Sequence, residues 1–261
     1  MSDILRLDIQ DAVLTITLDR PKANAINAEM SHAMAAAFTR FKEDDSLQVA
    51  IITGQGEKFF SGGWDMNEVA AGVSDVDSHG AGGFAGLRVL LDCNKPVIAA
   101  VNGYAIGGGW EIVLAADLVI ATENVRFWFP EVRRGIVPDA GGSQRLPYLL
   151  PRRIALEVLL TSRWFELEEA VKYGHVNAVV THAELLPRAR AMAAAIAEGA
   201  PLAIRATKEV IRAAETLSDR DAFLKLATLD LPAYKKALAS PDYFEGARAY
   251  TEDRKAEFRG R

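Results

Sequence analysis

The sequence predicts an α/β fold in which strands are covered on both sides by helices, followed by a purely helical tail. Three observations carry this. First, "VAIITG" (Val49 to Gly54), "PVIAAVNG" (Pro96 to Gly103) and "LVIAT" (Leu118 to Thr122) are continuously apolar, as strands with no solvent face must be. Second, the strand-then-helix rhythm recurs through the first two-thirds, with no repeat of fixed period. Third, from about His182 only helical spacing remains. Taken in order, "ILRLDIQDAVLTITLD" reads as two short strands around a turn near Gln10 and Asp11, with Leu14, Ile16 and Leu18 alternating against Thr15 and Thr17. Met30, Met34, Phe38 and Phe41 then recur at helical spacing, which predicts an amphipathic helix over Ala28 to Glu43. "AAGVSDVDSHGAGGFAG" (Ala70 to Gly86) is rich in Gly, Ser and Asp and reads as a mobile loop open to ordering by ligand. In the tail, Ala203, Ala206, Val210, Ala213 and Leu217 form one apolar stripe. The expected division is a core over 1–199 and a helical region over 200–261.

Composition narrows the function classes. The chain has 261 residues, half of them hydrophobic and a quarter charged, with a net charge of -5. That balance argues against an electrostatic nucleic-acid surface. Cys93 is the only cysteine, so no intrachain disulfide forms and a reducing compartment is the simplest reading. "MSDILRLDIQ" lacks a basic start followed by an apolar block, so no secretory signal is expected. The most apolar region, Val97 to Ala121, is interrupted by Asn102, Glu111 and Asp117, which speaks against a membrane span. The expectation is a cytoplasmic enzyme.

Two glycine turns and two acids carry the chemistry. Gly107, Gly108 and Gly109 stand between a strand and the start of a helix, where backbone N–H groups are unpaired and the helix dipole is positive. "FFSGGWD" places Gly62 and Gly63 after another strand. One N–H from each turn would make a two-donor oxyanion hole; plain tight turns are the alternative reading. Glu111 lies in "GGGWEIVLAA" and Glu131 in "RFWFPEVRRG". Apolar surroundings raise a carboxyl pKa and suit it to proton transfer near neutrality. A salt-bridged surface acid is the alternative for either one, with Arg133 and Arg134 beside Glu131. No P-loop, GxGxxG or GxSxG pattern is present, and His32, His79, His175 and His182 have no metal-ligand spacing.

"NGYAIGGGWEIVLAADLVIA", "FFSGGWD" and "PEVRRGIVPDAGGSQRL", with flanking similarity from "ITLDRPKANAIN" to "RKAEFRGR", closely resemble the crotonase (enoyl-CoA hydratase/isomerase) superfamily. The resemblance implies a spiral of ββα units with a C-terminal helical trimerisation region, as a homotrimer or homohexamer. It implies an oxyanion hole of the Gly62 and Gly108 N–H groups, and Glu111 and Glu131 as the catalytic pair. It implies a CoA site lined by Lys22, Ala23, Asn24, Ala25, Ile26, Gly63, Trp64 and Asp65. No separate cofactor is implied, because CoA enters as part of the thioester substrate.

Within that superfamily, Asp139 stands where many hydratases have glycine, and Trp64 where small residues are frequent. "FSGGWD", "GIVPDAGG", "RPKANAIN" and "GEKFFS" resemble the branch that interconverts carnitinyl-CoA and crotonobetainyl-CoA. Those acyl groups carry a trimethylammonium, which aromatic faces and a carboxylate recognise; Trp64, Trp110, Trp128 and Asp139 are the candidates, with plain packing the alternative for the aromatics and a solvated loop acid or a direct proton role the alternatives for Asp139. Another short-chain enoyl-CoA is the competing substrate. Isomerases of the same fold manage with one acid, so the pair Glu111 and Glu131 favours hydration or dehydration. An RNA-binding relative is the rival of another class, and the acidic composition opposes it.

Overall fold

The computed structural model describes residues 4–72, 76–215 and 217–261. The described strands are β1 (Leu5–Gln10), β2 (Val13–Leu18), β3 (Val49–Gly54), β4 (Phe59–Ser61), β5 (Val97–Val101), β6 (Tyr104–Ile106), β7 (Leu118–Thr122), β8 (Phe127–Trp128), β9 (Trp164–Phe165) and β10 (Ala178–Val180). The helices of the core are α1 (Ala28–Glu43), α2 (Met66–Ala70), α3 (Leu87–Leu91), α4 (Gly108–Ala115), α5 (Gly142–Leu149), α6 (Arg152–Thr161) and α7 (Leu167–Lys172). After β10 come α8 (His182–Ala197), α9 (Pro201–Ala214), α10 (Asp219–Ala227), α11 (Pro232–Leu238) and α12 (Pro241–Thr251).

The chain alternates between two sheets. One has the order β1-β2-β3-β5-β7-β10 and the other β4-β6-β8-β9. β1 and β2 form an antiparallel hairpin about the Asp11–Ala12 turn, where Asp11 takes φ 54. The remaining strands of the larger sheet run parallel. Each of β3, β5 and β7 crosses directly into its short successor β4, β6 or β8 in the smaller sheet.

The unbroken apolar strands are buried on both faces, as their sequence requires. Leu14, Ile16, Ala50, Ile52, Ala99, Val101 and Ala121 pack on Met30, Met34, Phe38 and Phe41 of α1 in the main core. The alternate residues Val49, Ile51, Ile98, Ala100 and Ile120 pack on Leu185, Ala189 and Ala193 of α8. Helix α1 starts where expected because the Asn27 side chain accepts the Met30 N–H at 2.9 Å. Within the tail, Leu202, Ala206 and Ala237 pack α9 against α11, and α9 is tied to the core by the ion pairs Arg205–Asp45 (2.8 Å) and Lys208–Asp117 (2.7 Å). Of the expected apolar stripe, Ala206 is buried and Ala203 is exposed; Leu202 turns inward beside Ala206. The expected loop over 70–86 contains two short 3₁₀ turns, Val76–His79 and Phe84–Gly86, while its residues 73–75 lie outside the described residues. Among the described residues no helix is long and apolar enough to cross a membrane.

Strands β4, β6 and β8 are parallel neighbours, so their C-terminal ends lie side by side. The residues that follow them are Gly62–Asp65, Gly107–Gly109 and Phe129–Glu131. The smaller sheet thus brings three segments, distant in sequence, to one edge, the usual place for a ligand site on parallel strands.

Candidate active site

The first turn is tied down on one side by the segment 22–26. Gly62 N–H donates to Ala23 O at 2.7 Å, Ile26 N–H to Gly63 O at 2.8 Å, and Asp65 N–H to Ile26 O at 2.9 Å. The Asn24 amide reaches the carbonyls of Gln55, Phe59 and Phe60, each at 3.1 Å. Asp65 pairs with Arg20 at 2.6 Å and caps α2 by accepting the Asn67 N–H at 3.0 Å.

This bonding corrects one expectation. Gly62 N–H is committed to Ala23 and is not free to hold a ligand oxygen. The turn's open amide is that of Trp64, which has no acceptor among the described residues. In the parallel bridge between Ile26 and Trp64, Gly63 C=O and Asp65 N–H face Ile26, so Trp64 N–H points the other way. Gly108 N–H, at the first position of α4, likewise has no acceptor among the described residues. The two turns touch at Gly63, where a Cβ would lie 2.4 Å from Ile106 O and 2.8 Å from Gly108 N. Only glycine permits that approach, and its φ of 77 is one that other residues rarely take.

The acids stand beside these amides. Glu111, in the first turn of α4, is 4 % exposed and its Oε1 accepts the Gly142 N–H at 2.9 Å. Burial pushes its carboxyl up to about 7; the charges of Glu131 and Asp139 add to the rise and the Gly142 hydrogen bond opposes it. Glu131 begins the 3₁₀ turn Glu131–Arg134, and its Oε1 lies where a Cβ on Gly107 would stand, 2.4 Å away. Burial pushes Glu131 up to about 7 as well, against the pull of Arg134, and its Oε2 has no hydrogen-bond partner among the described residues.

A cavity of about 520 Å³ opens here, and Gly62, Trp64, Gly108, Glu111, Glu131 and Asp139 all line it. The other expected wall residues do not. Trp110 is fully buried, stacks on Phe129 at 4.5 Å and donates its Nε1–H to His175 Nε2 at 2.8 Å. Trp128 stacks on Trp164 at 4.8 Å and donates to Ser162 O at 2.9 Å. Both are structural because the inward face of the smaller sheet takes the Trp110 cluster and its other face takes the Trp128 pair. None of Lys22 to Ile26 lines the cavity; the Asn24 and Ile26 side chains are buried, Ala23 and Ala25 are half-buried, and Lys22 is exposed. Asp65 and Gly63 shape the turn from behind. Sequence reasoning missed His79, Phe84 and Arg145, which also line the cavity. The glycine-rich surroundings of His79 and Phe84 concealed them, although two aromatic rings in such a segment are themselves a signal of a ligand wall.

The comparisons agree with this geometry. Residues 8–261 match the family described as enoyl-CoA hydratase/isomerase. The chain is 49% identical over 261 residues to carnitinyl-CoA dehydratase of Proteus mirabilis, covering 100% of both chains. It is 48% identical, again covering 100% of both, to carnitinyl-CoA dehydratase of Salmonella enteritidis. The crystal structure of enoyl-CoA hydratase from Mycobacterium tuberculosis superposes with a TM-score of 0.90 at 37% identity, covering 100% of both chains. That of a probable enoyl-CoA hydratase/isomerase from Mycobacterium abscessus gives a TM-score of 0.88 at 37% identity over the same coverage. The fold is the expected crotonase-like α/β architecture with helices at its C-terminus. The chain belongs to the enoyl-CoA hydratase/isomerase family, as a hydro-lyase of acyl-CoA thioesters.

Proposed function

We propose that the enzyme interconverts L-carnitinyl-CoA and crotonobetainyl-CoA by adding or removing water across the α,β-bond. The observation that carries the reading is the pair Glu111 and Glu131, both raised to about 7, facing one cavity beside two acceptor-free amides. Near neutral pH such a pair holds one carboxyl protonated and one ionised, which is what hydration needs. The thioester oxygen accepts from Trp64 N–H and Gly108 N–H, which makes the β-carbon electrophilic and stabilises the enolate; one such donor is worth about 2.7–4 kcal/mol. Water attacks the β-carbon and gives up a proton to the ionised carboxylate, Glu111. The protonated Glu131 delivers its proton to the α-carbon. Dehydration reverses each transfer: Glu131 takes the α-proton and Glu111 protonates the departing hydroxyl.

Full-length identity of 49% to a carnitinyl-CoA dehydratase supports the acyl group, as do Trp64 and Asp139 on the cavity wall. Lys22 and Ala23, at the outer edge of the first turn, are the residues we assign to contact with the CoA moiety. Phe223, Phe244 and Tyr250 are exposed on the tail helices and support a trimer or hexamer through that region, which light scattering reads directly. The deciding experiment for substrate is kinetics on crotonobetainyl-CoA and crotonyl-CoA side by side. A higher kcat/KM for the first is expected; a marked preference for crotonyl-CoA would make the enzyme a general enoyl-CoA hydratase.

A further inference from the structure

Three aromatic rings close one wall of the cavity, and the histidine among them takes no part in the proton chemistry. His79 is 5% exposed. Its ring meets the Trp64 ring at 5.8 Å and 65°, and the Phe84 ring at 5.4 Å and 81°. All three side chains line the cavity. The wall adjoins the open amides, because the Phe84 ring lies over Gly108, its Cζ 2.3 Å from where a Cβ would stand. Rings inclined this steeply form the sides of a corner. Nor is the imidazole held to serve an internal bond at Nδ1, which has no partner among the described residues. His175 is the contrast: it is locked in the core as acceptor for Trp110.

Building on the crotonobetainyl-CoA reading, we propose that His79 is a specificity-determining residue, forming with Trp64 and Phe84 the aromatic corner that receives the trimethylammonium. A quaternary ammonium offers no N–H, so ring faces are its natural contacts. Burial lowers the pKa of His79, with His32 acting the same way and Glu68 against it, so the ring carries no charge to repel the cation at neutral pH. Asp139 supplies the negative charge on the same cavity.

The test is the ratio of kcat/KM for crotonobetainyl-CoA to that for crotonyl-CoA in wild type, His79→Leu and His79→Phe. In His79→Leu the ratio falls about ten-fold, mainly through KM for crotonobetainyl-CoA. His79→Phe, which keeps a ring face, holds the ratio within about three-fold. His79→Gln is read in place of the leucine variant if that one fails to turn over crotonyl-CoA. An unchanged ratio in the folded non-aromatic variant, whether through no loss or equal loss on both thioesters, overturns the role of His79 alone. Absence of wild-type turnover of crotonobetainyl-CoA overturns the substrate reading and this proposal with it.

Discussion

Replacing Glu111 with glutamine separates what the carboxyl does for catalysis from what it costs the fold. Its pKa rises from 4.5 to about 7, chiefly by burial. A rise of about 2.5 at about 1.36 kcal/mol per pKa unit is about 3 kcal/mol. The sign follows from proton counting. Between pH 4.5 and 7 the native chain holds a proton that the unfolded chain has released, so stability declines as pH rises, and the whole penalty is present above pH 7. Glutamine has no charge to desolvate, and its amide oxygen still accepts the Gly142 N–H. Urea unfolding followed by circular dichroism is expected to show Glu111→Gln less than about 1 kcal/mol more stable than wild type at pH 5 and about 3 kcal/mol more stable at pH 9. Turnover falls by about a hundred-fold or more, while binding of the CoA ester survives. A stability difference that does not change with pH would refute burial as the source of the raised pKa, and near-normal turnover would refute the proton role.

Glu131→Gln is expected to lower turnover as severely and to abolish one limb of the pH–rate profile near 7; an unaltered profile would remove Glu131 from the proton transfers. Gly63→Ala forces a Cβ to 2.4 Å from Ile106 O, so the two turns separate; thermal melting and crotonyl-CoA turnover should both drop, the latter by about a hundred-fold as the oxyanion amides lose registration. Asp139→Asn should weaken crotonobetainyl-CoA turnover more than crotonyl-CoA turnover, and equal effects would exclude ammonium recognition by this carboxylate. Trp110→Phe leaves the buried His175 Nε2 without its donor and should cost about 1–3 kcal/mol in urea unfolding while leaving the ratio of the two substrates unchanged.

The sequence made local periodicity and backbone chemistry legible, and it concealed the direction in which individual groups point. Helix α1 and strands β3 and β7 fall where spacing and apolar runs place them, because each is decided by its own residues. Glu111 and Glu131 were visible for the same reason: a carboxylate in an oily run is locally anomalous. Gly62 shows the limit. Glycine in a turn signals a close backbone approach, yet which amide of that turn is free depends on the pairing of Ala23 and Ile26 with it, contacts that span about forty residues of chain. The glycines are required, but Gly63 is there to let the turns meet, and the open N–H belongs to the tryptophan that follows. Trp110 and Trp128 fail for a related reason. Neighbouring residues point to opposite faces of a strand and about 100° apart on a helix, so a ring next to a carboxyl in sequence does not share its direction. Trp110 adjoins Glu111 and enters the core, while Trp64, on the turn after β4, lines the cavity. The aromatic residues that line the cavity are Trp64 on its turn and His79 and Phe84 on 3₁₀ segments, whereas Trp110 and Trp128, within a regular helix and strand, do not.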